Sequence, residues 1–139
     1  MYKPTKTQLK VQAERRKNVD LRLIVGFLIT SVRWLTERPD GPYPCIVEGH
    51  RTAARQAILY AQGRTTPGEI VTNLPAGRSK HEYGPSKAID IGFWMNDGEL
   101  IQDSALCHAF YQLWREHTVE FIWGGNWKKP VDGPHFEVG

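Results

Sequence analysis

The strongest periodic signal in the chain lies between Leu21 and Thr36. There Leu21, Ile24, Val25, Leu28, Val32 and Leu35 recur at the i, i+3, i+4, i+7 spacing of one helix face. The spacing predicts an amphipathic helix that packs those side chains on a core. Asn18 or Asp20 is its candidate cap, and Arg38-Pro39-Asp40-Gly41-Pro42 breaks it. Upstream, Thr7 to Lys17 is polar and helix-compatible, making residues 1–17 a candidate N-terminal helical extension.

A period of two follows. Pro44 to Glu48 reads as a short strand, with Cys45 and Val47 on one face and Ile46 and Glu48 on the other. Ala88 to Met95 reads as a longer one, with Ile89, Ile91 and Phe93 opposite Ala88, Asp90 and Gly92. Between them Thr52 caps a helix from Ala53 to Gln62 that stops at Gly63. The stretch from Arg64 to Lys80 has little periodicity, and loops of that length in compact domains usually carry function.

After the turn Asn96-Asp97-Gly98, Asp103 or Ser104 caps a helix to about His117, with Leu106, Phe110, Leu113 and Trp114 as its core stripe. Phe121-Ile122-Trp123 and Pro134 to Val138 are short strands, and in the second His135 and Glu137 share a face opposite Phe136 and Val138. This order predicts an α+β fold, a small antiparallel sheet with helices packed to one side.

A length of 139 residues suits a single domain over 1–139. The net charge of +3 suits an anionic partner but does not choose between nucleic acid and a bacterial envelope. No nucleic-acid module is expected, because the aromatic residues sit in glycine-rich or core contexts rather than on a basic sheet face. Cys45 and Cys107 lie in apolar surroundings and read as reduced core thiols. The start Met1-Tyr2-Lys3-Pro4-Thr5 lacks a signal-peptide pattern, and the apolar run Leu23 to Ile29 is too short to span a bilayer. Synthesis in a cytoplasm and no stable membrane insertion are therefore expected.

Three residues suggest metal chemistry. His81 sits in a Gly/Pro-bearing loop, Asp90 points away from the apolar side of its strand, and His135 lies near the C-terminus. Two histidines and one carboxylate form the open ligand set of a catalytic zinc, which keeps one position for water. Asp132, three residues before His135, is placed to accept a proton from an activated water and pass it to a leaving amine. Arg51, where a strand ends and a helix begins, can stabilise an oxyanion. Each also has an ordinary reading: a loop histidine, a strand-end aspartate with a local hydrogen bond, a half-buried terminal histidine. His50, His108 and His117 read as structural.

Five ordered blocks carry more weight than any one residue. They are Glu48-Gly49-His50-Arg51-Thr52 followed by Gln56, Gln62-Gly63-Arg64-Thr65 with Pro67-Gly68, Ser79-Lys80-His81 to Asp90-Ile91, Trp123-Gly124-Gly125-Asn126-Trp127, and Asp132-Gly133-Pro134-His135-Phe136-Glu137. From about Leu21 onward the chain thereby resembles the zinc peptidases of bacterial peptidoglycan. That family includes D-alanyl-D-alanine carboxypeptidases and phage L-alanyl-D-glutamate endopeptidases.

The resemblance implies one zinc ion per chain on His81, Asp90 and His135, with Asp132 as base and Arg51 steadying the substrate carbonyl. Ser79 would support the metal-site loop, Trp127 would line the cleft, and Gln56 would position substrate or Arg51. The implied fold is the α+β domain shared with the hedgehog signalling domain. The implied activity is hydrolysis of stem peptides, at the L-Ala-D-Glu bond, by a monomeric phage lysin. Such a lysin accumulates in the host cytoplasm and reaches peptidoglycan after a holin opens the membrane.

One departure stands out. The family form is His-x-x-Gly-x-Ala-x-Asp, whereas eight residues separate His81 from Asp90 here, two more than that form. The extra residues are expected to bulge outward with both ligands in place, because loop closure depends weakly on length. Replacement of one ligand by Glu82 stays open. So do a D-Ala-D-Ala carboxypeptidase or dipeptidase with the same chemistry and a non-catalytic zinc-binding interaction domain, against which Asp132 argues.

Overall fold

Strand β2 (Ala88–Trp94) is the axis of the structure, a computed structural model that describes residues 3–128 and 131–139. It pairs antiparallel with β1 (Tyr43–Glu48) on one side and with β5 (His135–Glu137) on the other, while β3 (Leu100–Ile101) pairs with its end. Strand β4 (Ile122–Trp123) extends the sheet beyond β5, for the order β1-β2-β5-β4. Four helices accompany it: α1 (Lys6–Arg15), α2 (Leu21–Glu37), α3 (Ala53–Ala61) and α4 (Ser104–Arg115). The α+β class expected from the element order is the one found, and no helix among the described residues is long and apolar enough to cross a membrane.

The period-two pattern of β2 sets its two faces. Ile89, Ile91 and Phe93 are fully buried against the α2–α4 pair, in one cluster with Leu23, Phe27, Trp34, Phe110 and Trp114. Ring contacts carry much of this packing, with Trp34 5.1 Å from Phe93 and Phe27 5.8 Å from Phe110. Gly26 lets α4 approach, because a Cβ there would overlap the Trp114 indole. Cys45 and Cys107 are buried free thiols, and burial pushes both up to about 12, so they stay protonated.

Helix α2 departs from expectation. It spans the predicted residues and Asp20 caps it, its carboxylate accepting from the Arg22 N–H at 2.9 Å. Yet its core face is Leu23, Gly26, Phe27, Thr30 and Trp34, while Leu21 and Val32 are 72% and 66% exposed. Val25 and Leu28 are exposed too, and Ile24 and Leu35 only flank the core. The helix carries more apolar side chains than one face can bury. The stripe with Phe27 and Trp34 wins because aromatic rings remove the most area from water against Phe93 and Phe110.

Helix α1 does more than extend the chain. The Gln12 side chain is buried, its Nε2 donates to Ile46 O at 2.6 Å, and its Oε1 accepts from Ile46 N at 2.8 Å. One amide thus completes the hydrogen bonding of a residue on edge strand β1 and ties the helix to the sheet.

Candidate active site

The outer face of β2 carries Asp90, and strand register gives it its neighbours. Asp90 stands opposite His135 on β5 and opposite Glu48 on β1, just past an irregularity in the β1 ladder. Directly opposed residues have their Cβ atoms about 5 Å apart. Three strands distant in sequence therefore present Glu48, Asp90 and His135 side by side.

His81 reaches the same place from a loop. It lies in a 3-10 turn, Lys80–Glu82, capped by Ser79, whose Oγ accepts from the His81 N–H at 3.2 Å. Glu82 accepts from the N–H groups of Ser79 at 3.1 Å and Gly77 at 2.7 Å, so its carboxylate is engaged in its own loop rather than in the ligand set. The longer connection that follows leans on the α1–α2 linker. Ser86 donates its N–H to Asn18 O, and its carbonyl accepts from the Asp20 N–H, both at 2.8 Å. With that anchor His81 and Asp90 meet despite the two extra residues.

The His81, Asp90 and His135 donor atoms all lie within 4.8 Å of one another. Asp90 Oδ2 is 3.4 Å from His81 Nε2, and its Oδ1 is 3.3 Å from His135 Nδ1. Donors about 2.1 Å from one zinc ion in a tetrahedral arrangement stand roughly 3.4 Å apart, so the set fits zinc. The remaining ring nitrogens are both held: His81 Nδ1 donates to Gly49 O at 2.8 Å, and His135 Nε2 to Glu137 Oε1 at 3.1 Å. Such partners fix the tautomer that turns the free lone pair inward.

The charges are strongly coupled. Burial alone would raise the Asp90 pKa, but the facing His81 and the hydrogen bonds from His135 and His81 hold it far below the usual carboxylate range. Burial opposes charge on His135, yet hydrogen bonds to Asp90 and Glu137 raise its pKa to about 9, so without a cation the ring carries both protons at neutral pH. Asp132 Oδ2 lies 4.0 Å from His135 Nδ1. Burial, then the like charge of Asp90, push the Asp132 pKa up, the direction a proton acceptor needs.

Backbone bonds hold Asp132. Its N–H donates to Gly124 O at 2.9 Å, its carbonyl accepts from the His135 N–H at 3.2 Å, and Trp123 Nε1 donates to Gly133 O at 2.6 Å. A Cβ at Gly124 would strike the Asp132 carbonyl, which gives the first glycine of the Trp-Gly-Gly block its physical role.

These groups open on a cleft of about 340 Å³ walled by Arg51, Thr72, Asn73, Leu74, Lys80 and Trp127. The Trp127 ring lies 4.9 Å from that of His135. Arg51 donates to Glu48 Oε1 and Gln56 Oε1, both at 2.8 Å, and its Nη2 stands 3.6 Å from Asp90 Oδ2. Gln56 is fully buried and also donates to Leu74 O at 2.6 Å. Of its two expected tasks, the structure places it on Arg51 and on the long loop that walls the cleft.

Three partners escaped the sequence reading. Glu48 orients Arg51, Glu137 orients His135, and Lys80 pairs with Glu137 at 2.9 Å. The face shared by His135 and Glu137 is a local signal for that pair, whereas Glu48 and Lys80 stand inside the motif blocks with nothing in the sequence to name their partners. His108 packs on Trp123 at 5.5 Å and His117 hydrogen-bonds Thr30 at 2.9 Å, both outside the cleft.

Comparison with known proteins matches residues 72–138 to the family described as D-alanyl-D-alanine carboxypeptidase. Over 100 residues, 67% of the chain, the sequence is 40% identical to the peptidoglycan L-alanyl-D-glutamate endopeptidase CwlK of Bacillus subtilis (strain 168), and the chain spans 59% of that relative's length. The solved L-Ala D-Glu endopeptidase ChiX of Serratia marcescens has a TM-score of 0.60 and 23% identity over 92% of this chain and 86% of its own. A variant of the vancomycin-resistance D,D-pentapeptidase VanY, solved in complex with Zn(II), has a TM-score of 0.52 and 18% identity over 86% of this chain and 72% of its own. At those identities the two structures share the fold.

Proposed function

We propose that the chain is a zinc endopeptidase cleaving the L-Ala-D-Glu bond of peptidoglycan stem peptides, a reading supported by the match of residues 72–138 to the family described as D-alanyl-D-alanine carboxypeptidase and by the 40% identity to CwlK. The observation that carries this reading is the convergence of His81, Asp90 and His135 on one point of an open cleft with Asp132 beside them. The choice of bond is supported by the activities named for CwlK and ChiX. The lysin role rests on the resemblance of the Gln62-Gly63-Arg64-Thr65 block with Pro67-Gly68 to phage enzymes. Its place of action is then the cell wall.

In this proposal His81 Nε2, an Asp90 oxygen and His135 Nδ1 hold one zinc ion, which when bound acidifies water and polarises the scissile carbonyl. Gly49 and Glu137 keep the two rings oriented. Asp132 takes the proton of the attacking water and delivers it to the D-Glu nitrogen as the C–N bond breaks, leaving an L-Ala carboxylate and a free D-Glu amine. A base so placed contributes about 10²–10⁴-fold. Arg51, held by Glu48 and Gln56, supplies a fixed positive charge for the oxyanion.

Digestion of purified peptidoglycan followed by mass spectrometry of the new termini tests the reading. New N-terminal D-Glu is the expected product. Free D-alanine without it would instead establish the carboxypeptidase reading that the family description allows. Lysis of chloroform-treated cells by added protein tests the lysin role.

A further inference from the structure

Lys80 takes no part in the ligand set or the proton transfers above, yet it walls the same cleft. Its main chain is fixed one residue from His81, where its carbonyl accepts from the Lys87 N–H at 3.0 Å. Its Nζ lies 2.9 Å from Glu137 Oε2, the carboxylate whose other oxygen orients His135. The cation therefore sits next to the ligand cluster on a short chain of contacts.

Among the described residues, the Arg51 guanidinium and the Lys80 ammonium both line this cleft, and they differ in what they have left to offer. Arg51 is 10% exposed, and its guanidinium is engaged with Glu48, Gln56 and Asp90. Lys80 is 38% exposed, and among the described residues Glu137 is its one ion-pair partner. An ammonium carries three donors, so two remain for a ligand.

The substrate proposed above supplies a matching group. A glutamate on the leaving side of an endopeptidase bond has two carboxyl groups beyond its amine. One carries the chain onward and the other is free, a few bonds from the departing nitrogen. A carboxylate held so close to the reacting bond must lie near the ligand cluster, within reach of a cation beside it.

We propose that Lys80 receives the free carboxylate of the leaving-side glutamate and so sets a preference for glutamate over its amide. The inference rests on the L-Ala-D-Glu reading. A purely structural Lys80, holding Glu137 and through it His135, would affect every substrate alike.

Two synthetic stem peptides separate these cases, identical except that the free carboxylate of the leaving-side residue is a carboxamide in one. Wild type, Lys80→Met and Lys80→Arg are compared by kcat/KM on both, by zinc content, and by affinity of the metal-loaded protein for the two leaving-side products. Wild type is expected to favour the carboxylate peptide about tenfold, the low end for a charge-assisted hydrogen bond. Lys80→Met should lose about tenfold more on the carboxylate than on the carboxamide peptide and bind the two products equally. Lys80→Arg should keep much of the preference. Equal losses on both peptides, or a wild type without preference, overturn the inference while leaving the endopeptidase reading intact. A wild type that cuts neither peptide overturns both.

Discussion

The cluster of His81, Asp90 and His135 is built from two arms of different kind. Asp90 and His135 are neighbours on adjoining strands, and the ladder that forms the sheet sets their separation. His81 comes from a 3-10 turn in a long connection and is held by separate bonds to Ser79, to Gly49 O and, through the following loop, to the α1–α2 linker. The strand arm is a by-product of folding the sheet. The loop arm needs its own scaffolding, which explains how it can be two residues longer than the form it resembles and still bring His81 to Asp90.

The sharpest way to break this contrast is to remove one ligand from each arm. His135→Ala and His81→Ala are each expected to reduce bound zinc from one per chain to none, read by metal analysis of the purified proteins. Zinc retained in His81→Ala alone would show that the loop arm is dispensable.

Next in size is Asp132→Asn, which leaves the ligands in place. It should keep its zinc and lower kcat/KM about 10²–10⁴-fold. Lysis of chloroform-treated cells at the wild-type rate would remove Asp132 from the mechanism.

The orienting bonds come third. Glu137→Gln, on the strand arm, should weaken zinc binding about 10–100-fold in a chelator competition. Ser79→Ala, on the loop arm, should act mainly on stability, by about 1 kcal/mol for the lost cap, seen as a lower denaturant midpoint. A larger effect of Ser79→Ala on zinc affinity would mean that the loop is the less robust arm.

The last test is a pH dependence of the strand arm without metal. The His135 pKa is raised above its ordinary 6.5 to about 9, so its proton stabilises the folded state. That contribution is complete below pH 6.5 and lost as pH rises through about 9. The metal-free protein should therefore show a Tm that falls between those values, whereas His135→Gln should show a flatter profile.

Most element positions were legible because a helix period and a strand period are local properties, and so was the cap at Thr52, while Asp20 and Asp103 were each one of two candidates. The placement of α2 was not, because its two apolar stripes fit a helix equally well and only the facing aromatics decide which is buried. In the site, residue type and spacing made His81, Asp90, Asp132 and His135 candidates, and the motif resemblance singled them out from their ordinary readings. Glu48 stayed hidden because its partner depends on how an irregular ladder aligns β1 with β2.

By itself the sequence determined the order of the helices and of every strand but β3, the inner face of β2, and the common side of His135 and Glu137. These follow from the positions of apolar and polar residues within a few residues of one another. Tertiary structure alone decided which stripe of α2 enters the core, that Gln56 serves Arg51, that Lys80 meets Glu137, and that the lengthened loop finds its anchor at Asn18 and Asp20. Those outcomes depend on contacts between segments far apart in the chain, and such contacts leave no local pattern to read.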